Sequence, residues 1–120
     1  MTARGQPASI YVPDRGDLVW LTFDPQAGHA PAGRQPAIIL SPASYNRRSR
    51  LALACPITNQ IKGYPFEVVL PPGLPITGAV LADHLRSVDW QARQAGPAGE
   101  VSPDVLQSVL ARIAPLLGLR

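Results

Sequence analysis

The sequence predicts a mainly β fold with short helices, a compact β-barrel capped by a C-terminal helix. Short apolar runs alternate with turns that carry proline or glycine along most of the chain. Fourteen prolines are scattered among those runs and form no repeat, which favours a loop-rich β fold over a disordered chain. Only the C-terminal segment changes period, from strand-like to helical.

Residues 1–13 carry Gly5, Pro7 and Pro13 and are expected to form a loose arm. "DLVWLTF", Asp17 to Phe23, has no polar residue from Leu18 to Leu21 and reads as a buried strand. "PAIILS" is the second strand, with Pro36 marking its entry. "SPASYNRRSR" has turn chemistry and the start of a short helical turn after Ser41. "LALACPIT" is the third strand, ended by Asn59, and buries Cys55 as a small hydrophobe. "KGYPFEVVL" turns at Gly63 and continues through Phe66, Val68 and Leu70, after which "PPGLP" must be a loop. "GAVLADHL" and "RSVDWQARQ" form one long bent strand or two short ones. Ser102-Pro103-Asp104 then caps a helix, with proline at its first position. Along that helix Val105, Leu106, Val109, Leu110, Ile113, Leu116 and Leu117 share one face. No linker divides the 120 residues, so a single domain is expected.

The net charge is +3, carried by ten arginines and one lysine, Lys62. Arginine presents a planar fork of donors to phosphate and stacks on bases, so the balance permits a nucleic-acid partner. A general arginine preference gives the same ratio, and charge alone does not decide. No apolar run reaches the roughly 20 residues of a membrane span and the N-terminus lacks a signal-peptide core. A cytoplasmic protein without a membrane partner is the expectation. Two histidines and one cysteine make a structural metal site improbable, and no phosphate loop, HExxH, CxxC or GxSxG is present. No cofactor is expected.

Four segments in order, "YVPDRGDLVWLTFDP", "GRQPAIILSPASYN", "CPITNQIKGYPFEVVL" and "GAVLADHLRSVDWQAR", resemble the MazF/PemK family of toxin endoribonucleases. The likeness runs from about Tyr11 to the C-terminal helix, and "KGYPFEV" with "LADHLRSVDW" is its most specific part. The resemblance implies an SH3-like β-barrel assembled as a homodimer. It also implies metal-independent cutting of single-stranded RNA or mRNA at a short sequence, within a type II toxin–antitoxin system. A cognate MazE-like antitoxin with an acidic C-terminal tail would occupy the RNA groove.

Such cutting needs the RNA's 2′-hydroxyl oriented at the adjacent phosphate, a proton accepted and returned, and the anionic phosphorane stabilised. The family is thought to use an arginine opening the second strand and a threonine ending the third. Thr58 in "PITNQ" matches the threonine; as a bare residue it is also an ordinary β-branched strand end. The arginine is displaced: the order Gly33-Arg34-Gln35-Pro36 puts Gln35 at the family's arginine position, and Ala30 replaces the family's loop glutamate. Three readings follow. Arg34 reaches the phosphate from one residue earlier, which holds if Arg34 lies in a loop and flips its side chain if the strand has begun. His29 supplies acid–base chemistry with an unperturbed pKa of about 6.5. Or the enzyme is weakened or inactive, acting only as an antitoxin partner. Lys62 and Arg86 match positions lining the family's groove, and His84 stands at a base-contacting position often held by glutamine. Asp24 and Gly28 in one loop, and Asn59 and Gln60 in another, complete the expected RNA contacts. Trp20 and Trp90 are expected in the core more than as stacking platforms. The competing function is a non-enzymatic toxin on the same barrel, resembling CcdB, which binds DNA gyrase. The terminal "LLGLR" lacks the aromatic residue that mode uses.

Overall fold

The uninterrupted apolar run of "DLVWLTF" forms strand β1 (Asp17–Phe23), one strand in from the edge of an antiparallel sheet that has seven strands among the described residues. The structure is a computed structural model that describes residues 10–23 and 33–119. β2 (Gly33–Ile39), a short helix α1 (Ala43–Ser49) and β3 (Leu51–Thr58) follow. β4 (Glu67–Val69), β5 (Ala79–Leu81), β6 (Arg86–Asp89) and β7 (Gly96–Glu100) lead to α2 (Pro103–Ile113). A 3-10 turn, Ala82–His84, separates β5 from β6, so the two-strand alternative holds there.

The strand order is β4-β5-β3-β2-β1-β7, with β6 pairing β3 as well. β3 is therefore the hub. One edge pairs β2, and the other takes β6 at Leu51 to Ala54 before passing to β5 at Ile57 and Thr58. Alternation along the strands feeds two cores. Leu18, Ile38, Cys55, Ile57 and Val80 face one, which α2 covers with Val109 and Ile113. Val19, Leu21, Ala37, Ile39, Ala54 and Val88 face the other, joined by Trp90. Burying an aliphatic side chain of α2 contributes about 2 kcal/mol, enough for one turn of helix to matter. Ser102 caps α2, its hydroxyl accepting the N–H of Val105 at 3.4 Å.

Several expectations need correction. The sheet does not close as a barrel: among the described residues no pairing joins β4 to β7. β4 is three residues long and β7 reads "GPAGE", so neither edge offers a long ladder, and α2 packs over the inner face instead. β2 begins at Gly33, three residues before the proline that was expected to open it, because Thr22 and Phe23 extend the ladder to Arg34 and Gly33. α2 stops at Ile113. Pro115 brings no N–H for the next turn, the chain tightens into a 3-10 turn at Ala114–Leu117, and Leu116 and Leu117 stay exposed. Of the arm expected over residues 1–13, residues 1–9 lie outside the described residues. Tyr11 and Val12 pack on the second core, and the Pro13 carbonyl accepts Asn46 Nδ2 at 2.8 Å. Burial and the Asp17 carboxylate, which accepts its hydroxyl, push the Tyr11 phenol well above its usual range. No helix among the described residues is long and apolar enough to cross a membrane.

Candidate active site

Leu40 N–H donates to Leu53 O at 2.8 Å. Antiparallel pairs alternate between bonded and non-bonded, so the same ladder would next be bonded at Ile38 with Cys55 and then at Pro36 with Ile57. Pro36 has no hydrogen to give, and the pairing ends at Ala37 with Pro56. Pro56 points its own missing donor to the opposite edge, where the β3–β6 ladder ends at Ala54 with Arg86. Two prolines thus unzip the sheet at one end. The space between β2 and β3 is a cleft of ≈ 580 Å³ whose walls include Trp20, Arg34, Gln35, Thr58 and Asn59.

At Thr58 this cleft meets a second of ≈ 250 Å³, which also holds Gln60, Lys62, Tyr64, Asp83 and His84. Thr58 ends β3, and its Oγ1 accepts the Gln60 N–H at 3.0 Å, leaving the hydroxyl hydrogen to donate elsewhere. Gly78 makes this corner: at φ +124 it approaches so closely that a Cβ would lie 2.2 Å from the Thr58 carbonyl oxygen. Loop residues 59–66 are tied down by Glu67, a buried carboxylate that accepts Gly63 N–H at 2.7 Å and Lys62 N–H at 3.1 Å. Arg112 of α2 holds the same loop from outside, its Nε donating to Pro65 O at 3.1 Å. Lys62 Nζ sits 5.9 Å from the centre of the Tyr64 ring. His84 lies on the 3-10 turn, its Nε2 3.9 Å from Asp83 Oδ1, and both side chains are largely exposed.

Carried two residues further, the β2–β3 register sets Gln35 opposite Thr58, on the face of Ala37 and Ala54. By strand alternation Arg34 is on the other face, although it too borders the first cleft. The strand has already begun there, and its guanidinium turns toward β1, Nη1 donating to Thr22 Oγ1 at 2.7 Å and Gln94 O at 2.6 Å. Arg86 stays out of both clefts and shares a small hollow with Gln35 and Phe23. There Arg86 and Arg93 flank the Phe23 ring at 5.4 and 4.3 Å from its centre. Asp24, Gly28 and His29 lie outside the described residues.

Cys55 is fully buried, and burial, with the Asp83 charge, pushes its thiol up to about 12, so it is no nucleophile at neutral pH. Trp90 is core, its Nε1 donating to Asn46 O at 3.0 Å, whereas Trp20 is half-buried on the cleft wall. Glu67 and Trp20 are the site residues that sequence reasoning missed. A lone acid inside the apolar "PFEVVL" was the available signal for Glu67; nothing in the sequence singled out one tryptophan over the other.

A groove with a hydroxyl at its bend, where Arg34 and Lys62 are matched by Glu67 and Asp83, has donors enough to hold an extended phosphate chain. Residues 14–117 match the model of the PemK-like, MazF-like toxins of type II toxin–antitoxin systems. The chain belongs to that family. The endoribonuclease toxin MazF of Escherichia coli K12 is 49% identical over 110 residues, covering 92% of this chain and 98% of the relative. The endoribonuclease PemK of Escherichia coli is 33% identical over 108 residues, 87% of this chain and 81% of PemK. In a solved MazE–MazF structure (Form-II) from Deinococcus radiodurans, the matching chain is 55% identical with a TM-score of 0.87, over 92% of this chain and 99% of that one. Arg34 and Gln35 both border the cleft that holds Thr58, with Arg34 bonded toward β1.

Proposed function

We propose that this MazF-like toxin is an endoribonuclease that cuts single-stranded RNA, with the scissile phosphate seated at Thr58. The observation that carries the reading is the position of Thr58: its hydroxyl stands where two clefts meet, between Gln35 on one side and Lys62 on the other. The RNA's own 2′-oxygen forms the new bond to phosphorus and the bond to the 5′-oxygen breaks. One proton leaves the 2′-hydroxyl and one is returned to the leaving oxygen. No metal is required for internal attack if donors are already aimed at the phosphorane. Thr58 and the Gln35 carboxamide donate to the non-bridging oxygens, and Lys62 adds positive charge. His29 is the titrating group suited to the proton transfers, with Asp24 and Gly28 on the same connection. Asn59, Gln60 and His84 meet base edges, the half-buried Trp20 offers a stacking face, and Arg86 holds phosphate at the Phe23 hollow.

An acidic antitoxin tail would meet Lys62 in the same groove, as expected of a partner that silences a toxin in the cytoplasm, where mRNA is exposed. Exposed Val69, Leu116 and Leu117 supply apolar surface for a second copy, giving a homodimer. The deciding experiment is incubation of a mixed RNA with the protein in EDTA, followed by mapping of both ends. Cuts leaving 2′,3′-cyclic phosphate and 5′-hydroxyl are expected. Intact RNA, or 5′-phosphate ends, would sink the proposal.

A further inference from the structure

Arg34 is held by contacts that cutting RNA does not require. It stands on β2 opposite Thr22, with β1 and β7 on one side of it and β3, carrying Thr58, on the other. Its Nη1 reaches over β1 to two acceptors, Thr22 Oγ1 at 2.7 Å and the Gln94 carbonyl at 2.6 Å. Gln94 adopts φ +55, a left-handed conformation uncommon outside glycine. Gly96, which pairs with Trp20, leaves room for the guanidinium: a Cβ there would lie 2.7 Å from Arg34 Nη2. The same turn is docked twice more, by Thr22 N–H donating to Arg93 O at 2.8 Å and by the Arg93 guanidinium 4.3 Å from the centre of the Phe23 ring.

We propose that Arg34 is a positioning residue. Its guanidinium fastens the turn between β6 and β7 onto the ends of β1 and β2, and Gly96 is glycine so that the fork can enter. Two short bonds from one charged donor occupy this exposed guanidinium before RNA arrives. Neighbouring side chains on a strand point to opposite faces, so fixing Arg34 on one face fixes Gln35 on the other, in the wall of the cleft that holds Thr58. The kinetic part of this inference rests on the endoribonuclease reading; the latch itself does not.

Three variants test it: Arg34→Met removes the donor, the near-isosteric Thr22→Val removes one acceptor, and Gly96→Ala displaces the guanidinium while keeping its charge. Each is expected to lower kcat on one RNA substrate at 25 °C by about tenfold or more, the scale of misplacing a reacting group by a fraction of an ångström. KM should move less than kcat, and Arg34→Met with Gly96→Ala should be no slower than Arg34→Met alone. If Arg34→Met is slow while Thr22→Val and Gly96→Ala cut normally, Arg34 acts by its charge on the phosphate and the proposal falls. Loss of melting temperature with kcat unchanged in all three would leave a purely structural tie, and also overturns it. Should the wild type cut no RNA, the endoribonuclease reading fails separately, and hydrogen exchange at the Thr22 amide still decides the latch. Faster exchange in all three variants supports it; unchanged exchange refutes it.

Discussion

Gly78→Ala isolates the corner that holds Thr58. The added Cβ would lie 2.2 Å from the Thr58 carbonyl oxygen, 2.9 Å from its carbonyl carbon and 3.3 Å from Asn59 Cα. These are backbone atoms and cannot swing aside. Restoring an ordinary carbon–oxygen separation of about 3.4 Å needs an opening of roughly 1 Å. Part of that falls on Thr58, and a 1 Å error in a reacting group can cost on the order of a hundredfold in rate. The backbone conformation adds strain of about 2 kcal/mol for a side chain at φ +124, equivalent to a fall of about 8 °C in Tm at this chain length. Gly73→Ala is the matched control. It too has positive φ, +95, but no atom lies within 4 Å of its Cβ, so it carries strain without the collision. Circular-dichroism melts and RNA cleavage at 25 °C are measured for both. Both variants should melt lower, and only Gly78→Ala should lose kcat beyond its unfolded fraction. A Gly78→Ala protein cutting at the wild-type rate would refute the placement of Thr58 at the chemical step.

Thr58→Val keeps the shape of the strand end and removes the hydroxyl; kcat should fall about a hundredfold with RNA binding by fluorescence anisotropy little changed. Gln35→Arg puts a cation opposite Thr58 and should raise kcat by about tenfold, and an unchanged rate would show that charge is not what the corner lacks. Alkaline stability follows from Cys55, whose thiol is raised from 9.0 to about 12 in the fold. The folded state favours the proton, so its contribution is complete below pH 9 and is lost as the pH rises through about 12. Across that window the Tm of the wild type should fall more steeply than that of Cys55→Ala, measured by calorimetry.

What could be read from the sequence was what local chemistry decides. β1 announced itself as an unbroken apolar run, and α2 through Ser102 and Pro103. Thr58 stands at the end of its strand, where "PIT" before Asn59 placed it. What could not be read depends on partners distant in the chain. β7, "GPAGE", has no strand-forming residue and is a strand because β1 pairs with it. Gly33 to Gln35 look like loop, yet Leu21 to Phe23 draw them into the ladder, and that shift decides which way Arg34 points. Its acceptor on Gln94 lies sixty residues away and leaves no mark in any local pattern.

The two prolines at the mouth of the cleft bear on how the groove meets its ligand. An ordinary pair of strands left apart would recover a backbone hydrogen bond by drawing together, and anything entering would have to prise them open. At Pro36 and Ile57 one of the pair's two bonds, the one Pro36 would donate, is chemically unavailable, so closing the gap offers the chain less. A missing atom thus helps to hold the groove open. An incoming strand, whether nucleic acid or an inhibitor's tail, therefore spends less of its binding free energy on separating β2 from β3 and keeps more for the contacts that discriminate one sequence from another.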